Sequence, residues 1–106
     1  MLEIIHPNTG ERLQVADNDF EEKMTWEQAI EVCKNLGDGW RLPTKLEMEV
    51  IYSQLHENGI GNFEASCYWS STEYNLGGAW LLNFGNGDTY GDGKNNTGKI
   101  RAVRVI

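Results

Sequence analysis

Cysteine, basic side chains and long apolar runs are all scarce in this sequence, and each scarcity removes a class of protein. Two cysteines, Cys33 and Cys67, lack the spacing of metal ligands. Lys and Arg number 9 against 16 Asp and Glu, a net charge of −7. Unaided binding to DNA, RNA or sulfated polysaccharide depends on clustered cations, so that balance argues against it. No apolar run approaches the ~20 residues needed to cross a bilayer, so membrane insertion is not expected. Residues Met1 to His6 lack a basic stretch followed by an apolar one, so no secretory leader is expected either. The chain then stays in the cytoplasm, or is a piece or passenger of something exported by other means.

What is present fits one domain over residues 1–106. Four Trp, four Tyr and three Phe supply large buriable areas, which help a small chain offset its conformational entropy. Charge is uneven: residues 1–66 hold 13 acidic and 5 basic side chains, residues 67–106 only 3 and 4. The C-terminal part is nearly neutral and dense in Gly, Asn, Tyr and Trp. That composition suits adaptable polar contacts. It equally suits tight turns in a β-rich segment.

Hydrophobic period and turn chemistry give a coarse order of elements. Leu2–Ile5 and Arg12–Val15 flank the turn residues Pro7, Asn8 and Gly10 and predict a hairpin. Thr25 and Gln28 form a capping box ahead of the apolar stripe Trp26, Ala29, Ile30, Cys33 and Leu36, with Gly37 as the stop. Thr44 and Glu47 repeat the device ahead of Met48, Ile51, Tyr52 and Leu55. From Cys67 the period is two: a strand at Tyr68–Ser71, a loop from Glu73 to Gly78, then Ala79–Phe84 with Trp80, Leu82 and Phe84 on one face. Gly85-Asn86-Gly87-Asp88 predicts a hairpin turn and Asp88–Tyr90 a return strand. A polar loop over Gly91–Gly98 and a last strand within Lys99–Ile106 complete an α+β class.

Several of these stretches together carry a resemblance: Gly39-Trp40-Arg41-Leu42-Pro43-Thr44, Trp69-Ser70-Ser71, Ala79-Trp80 and Arg101-Ala102-Val103-Arg104. Over residues 24–106 the chain resembles the C-type-lectin-like domain at the C-terminus of a bacterial collagen-like adhesin and in bacterial surface lipoproteins, and is similar to retroelement-diversified variable proteins of phages and bacteria. The resemblance implies two helices beside a twisted antiparallel sheet, with the N- and C-terminal strands paired. It makes Trp40, Trp69 and Trp80 core and anchors Arg41 and Arg104 by buried hydrogen bonds. Ligand-binding positions then fall between the scaffold residues, at Tyr74, Asn75, Leu76, Leu81, Asn83, Asn86, Asp88, Tyr90, Asp92, Asn95 and Asn96. The chain departs from its relatives in charge and in motifs, and it is short for the fold, with little room for a long ligand loop. Its acidity removes the basic face that sulfated glycans need, and the Glu-Pro-Asn and Trp-Asn-Asp segments of calcium-dependent lectins are absent.

Other chemistries fare less well. Cys33 sits on a helix packing face, where a thiol acts as a small hydrophobe. Neither cysteine has a positioned base, and a disulfide between them competes with two thiols. Asp88, Asp92, Asn83, Asn86 and Asn95 are oxygen donors but match no calcium loop; turn stabilisation explains them as well. Gly85-Asn86-Gly87 and Gly91-Asp92-Gly93 precede no helix, so they do not cradle phosphate. Asn95-Asn96-Thr97 matches a glycosylation pattern by accident. The expectation is a non-enzymatic module without a cofactor, binding a protein or glycan through residues 73–97. A structural or homo-oligomerising unit of a larger surface or phage assembly is the alternative.

Overall fold

The computed structural model describes residues 1–106. Its elements run β1 (Leu2–Ile5), β2 (Arg12–Val15), α1 (Trp26–Lys34), α2 (Lys45–Gln54), β3 (Cys67–Asn75), β4 (Gly78–Asn83), β5 (Thr89–Gly93) and β6 (Val103–Val105). The class is α+β. In place of one sheet there are two small ones, with strand orders β1-β2-β6 and β3-β4-β5, antiparallel throughout. One segment serves both. Lys99 exchanges backbone hydrogen bonds with Cys67 and Trp69 along β3, and Val103 does the same with Arg41 beside β6. The C-terminal strand joins the N-terminal hairpin through β2, with Val15 opposite Val103 and Leu13 opposite Val105; β1 does not pair with it.

Both helices start where their caps predict. The Thr25 N–H donates to Gln28 Oε1 at 3.1 Å. At α2, Thr44 N–H donates to Glu47 Oε1 at 2.9 Å and Glu47 N–H to Thr44 Oγ1 at 3.2 Å. Beyond α1, Gly37 takes φ +74°, the left-handed conformation glycine adopts without strain.

The sheet β3-β4-β5 is covered on both faces. Met48, Val50 and Ile51 of α2, with Leu55 just beyond it, pack on Tyr68, Leu82 and Phe84, joined by Ile4, Leu13, Val15 and Val103 of the other sheet. On the opposite face Ala29 and Cys33 of α1 meet Trp69, Ala79, Leu81, Ile100 and Ala102. Burial on both sides explains why Tyr68-Trp69 and Leu81-Leu82 are consecutive apolar pairs. It also corrects a site expectation: Leu81 belongs to the second core and is buried, unavailable to a ligand.

The tryptophans divide otherwise than expected. Trp69 alone is fully buried, its Nε1–H donating to the Met24 carbonyl at 2.8 Å. Trp26, Trp40 and Trp80 are half-buried, and each lies under a cation instead of inside the core: Lys94 at 4.5 Å, Arg104 at 4.9 Å and Lys45 at 4.7 Å from the ring centroids. A cation over an indole is attracted by the ring quadrupole while keeping access to water, which suits rings at the rim.

The arginines are corrected likewise. Arg104 is half-buried, bonded to Gln14 Oε1 at 2.8 Å. The buried guanidinium is that of Arg101, which donates to Asp19 Oδ1 at 2.8 Å and to the carbonyls of Ala16 and Gly61 at 2.9 Å. Asp19 also accepts from the Tyr68 hydroxyl at 2.6 Å, and burial with that carboxylate pushes the phenol well above its ordinary range. The acidic loop, expected to be a solvated connector, is thus tied to the interior through Asp19. No buried side-chain polar atom lacks a partner.

Arg41 is half-buried as well, but its anchor lies inside. It makes a bidentate pair with the buried Glu47, Nη1 to Oε1 at 2.7 Å and Nη2 to Oε2 at 2.9 Å. Burial pushes the Glu47 carboxyl up, but the bonds from Arg41 and the Thr44 N–H outweigh it and hold the carboxyl below the ordinary 4.5. A folded value below the unfolded one means this contribution is complete above pH 4.5 and is lost as pH falls below it. Glu47→Gln should therefore flatten the acid limb of stability against pH, measured by urea unfolding between pH 3 and 7. An unchanged acid limb would refute that assignment.

Candidate recognition site

Strand β3 runs past its expected end. It continues from Cys67 to Asn75, with shifts in register against β4 between Trp69 and Glu73 and again before Asn75. Glu73, Tyr74 and Asn75 are therefore strand residues. The turn is the short Leu76-Gly77, with Asn75 Oδ1 accepting from the Gly77 N–H at 3.0 Å. Likewise β5 extends through Gly93, so the expected polar loop begins later, at Lys94.

Around this β3–β4 tip the structure gathers six of the eleven expected positions: Tyr74, Asn75, Leu76, Asp92, Asn95 and Asn96. Leu76 is 94% exposed and Tyr74 56% exposed. The Tyr74 ring stands edge-on to Trp80 at 4.9 Å and lies where a Cβ on Gly91 would fall 2.5 Å from it, so glycine at 91 makes room for the ring. Lys45, Trp80 and Tyr74 form a continuous stack on the α2 side. Beside it an open groove of about 340 Å³ is lined by Tyr74, Asn75, Gly78, Asp92 and neighbouring glycines.

Lys94 holds the tip from the other side. Its ammonium donates to Glu73 Oε2 and to the Leu76 carbonyl, each at 2.9 Å, while lying over Trp26. Trp26 is fixed in turn, its Nε1–H donating to the Ser70 carbonyl at 2.9 Å. One cation thus pins the strand, the turn and the start of α1 together.

The other expected positions lie elsewhere. Asn83, Asn86 and Asp88 sit at the opposite end of the sheet, in the β4–β5 turn. Asn83 Oδ1 accepts from the Gly85 N–H at 2.7 Å and Asn86 Oδ1 from the Asp88 N–H at 2.9 Å, so these side chains build the turn. Tyr90 pairs with Leu81, on the face opposite Trp80; burial and the Cys67 thiol push its phenol up to about 12. Asp92 accepts from the Gly93 N–H and from Asn96 Nδ2, both at 2.8 Å. The five candidate calcium donors are split between the two ends of the sheet and do not converge. A second open cleft lies between the acidic loop and Trp40, lined by Gln14, Asp17, Phe20 and Leu36, and contains none of the eleven positions.

Cys33 is a buried free thiol that burial pushes up to about 12, a poor nucleophile. Cys67, also free, is half-buried beside Tyr90. His56 packs against Tyr52, Phe63 and Phe84. No three His, Cys, Asp or Glu side chains come together as a metal-sized set.

No curated protein matches this sequence. A family model described as the Lcl C-terminal domain matches residues 8–104, nearly the whole chain and every element except β1 and the last residue of β6. The chain belongs to the Lcl C-terminal domain family.

Proposed function

We propose that this domain is a non-enzymatic recognition module of the adhesin type, engaging a protein or glycan through the β3–β4 tip. The observation that carries the reading is the pairing of exposure with fixation. Leu76 and Tyr74 stand far out of the surface, yet their backbone and neighbours are held by Lys94, Trp26, Trp80 and the Asn75 turn bond. A backbone fixed before contact loses little entropy on binding, and an exposed aromatic beside an aliphatic residue makes a good anchor. The resemblance to C-type-lectin-like modules and the low charge of residues 67–106 support the same reading. The inert Cys33 thiol and the scattered titratable groups favour binding over catalysis. No cofactor is required.

The test is a glycan array and a panel of candidate protein partners, each probed with the domain and with a Tyr74→Ala/Leu76→Asp variant. Loss of binding by tenfold or more is expected, with thermal stability nearly unchanged because substitutions at exposed sites usually shift it little. A variant that binds every ligand as well as the parent would overturn the reading.

A further inference from the structure

Sheet edges are where unpaired backbone groups remain, and this molecule closes nearly all of them. Outward-facing groups of β3 bond to Lys99 at Cys67 and Trp69, and to the Pro43 carbonyl at Ser71. Along β6, Val103 exchanges both bonds with Arg41, leaving only Val105. Along β1 the Gln54 side-chain amide takes both the N–H and the C=O of Ile5, at 3.1 Å each, leaving only Glu3.

The outer edge of β5 is different. Asn83 N–H bonds to the Asp88 carbonyl and Lys94 N–H to the Gly77 carbonyl, so in this ladder Tyr90 and Asp92 bond inward to β4. Thr89 and Gly91 therefore point their N–H and C=O groups away from it, and no strand lies beyond. They are consecutive outward positions, the repeat an incoming strand needs. The edge also lacks the usual guards: it has no proline and no lysine, and the β4–β5 register runs without a bulge. Glycine at 91 and 93 lets another backbone approach closely.

Charge selects the occupant. Asp88 and Asp92 flank the open stretch, and β5 carries no basic side chain. A second copy of this chain would bring another −7 and the same aspartates to the contact. We propose that the β5 edge docks an extended segment of a partner protein, bearing Lys or Arg at alternate positions, as an added strand: main-chain bonds to Thr89 and Gly91 hold it and Asp88 and Asp92 choose its charge. The groove beside Gly91 and Tyr74 receives one of its side chains. The edge shares Asp92 and the Tyr74 groove with the tip but not Leu76, and its outward backbone groups at Thr89 and Gly91 do not depend on what Leu76 contacts.

The test uses an array of capped heptapeptides with lysine at alternate positions and Val, Thr, Ile, Leu or Tyr between, against the same array with glutamate for lysine. The best lysine peptide should bind at least tenfold tighter than its glutamate counterpart. It should move the Thr89 and Gly91 amide resonances and slow their hydrogen exchange. Methylating alternate peptide nitrogens should weaken binding at least tenfold, and so should Thr89→Pro, which removes an outward N–H and spares the ladder to β4. Leu76→Asp should leave peptide binding unchanged even if it abolishes binding at the tip. Equal binding of the two arrays, no lysine peptide bound, insensitivity to N-methylation, or resonance changes away from β5 would each overturn the proposal. So would sedimentation showing dimers that Thr89→Pro dissociates, since the occupant would then be a second copy.

Discussion

Arg101→Met should lower the free energy of unfolding by about 3–5 kcal/mol, the usual cost of removing one partner from a buried charged pair. The guanidinium ties the acidic loop at Ala16 and Asp19 to the loop at Gly61, alongside Lys99 and Tyr68, which join Asp19 to Glu64, and it also stacks on Phe63 at 4.0 Å. Methionine fills much of the space but donates nothing, leaving Asp19 with Tyr68 and a 3.5 Å contact to Lys99. A small domain has roughly 5–15 kcal/mol in total, so the variant would keep only part of its stability at 25 °C. Arg104→Met should cost far less, since that group is half-exposed and makes one good bond. Adding Asp19→Asn to Arg101→Met should restore part of the loss by removing the stranded charge. Guanidinium unfolding of the four proteins measures this, and equal losses for Arg101 and Arg104 would contradict the network.

Trp69→Ala should be comparably damaging, about 3–5 kcal/mol by the measure of buried aromatics elsewhere. The indole is enclosed on all sides, its Nε1–H satisfied by Met24, and Gly98 sits so close that a Cβ there would fall 3.0 Å from the ring nitrogen. Trp80→Ala, which its place among the family's scaffold residues would put in the same class, should cost less, roughly 1–2 kcal/mol, because the exposed part of the ring gains nothing from folding. Thermal unfolding separates the two directly. Losses of equal size would mean that Trp80 is part of the core after all.

That contrast marks where the sequence could be read and where it could not. Local signals survived translation into structure: both capping residues, the Gly37 stop and the Asn-Gly turn are decided by contacts within a few residues. The α+β class followed from the change of period at Cys67. What failed were several judgements about which way a side chain faces across long range, although Trp69 and Cys33 do lie inside. Arg101 and Arg104 stand three apart in one motif, and only the packing of the acidic loop, far away in sequence, decides which of them goes inside. Leu81 looked like a residue between scaffold positions because alternation assumes one wet face, and here α1 covers the second. Glu47 was legible as a cap but not as the buried partner of Arg41. At the site, six of eleven positions came together at the tip. The turn-forming Asn83 and Asn86 did not, because asparagine favours turns and binding surfaces alike, and composition alone does not separate the two.

The sheet built by the two ends of the chain has a mechanical side. Strands β1 and β6 flank β2 and run parallel to each other; Leu2 lies level with Val15, and Val105 with Leu13. Tension on the two termini therefore pulls the outer strands in opposite directions along the central one. The ladder bonds are loaded sideways and all together, instead of being peeled open one after another from a free end. A tether anchored through these strands would resist a sudden tug by sharing the force across the whole ladder.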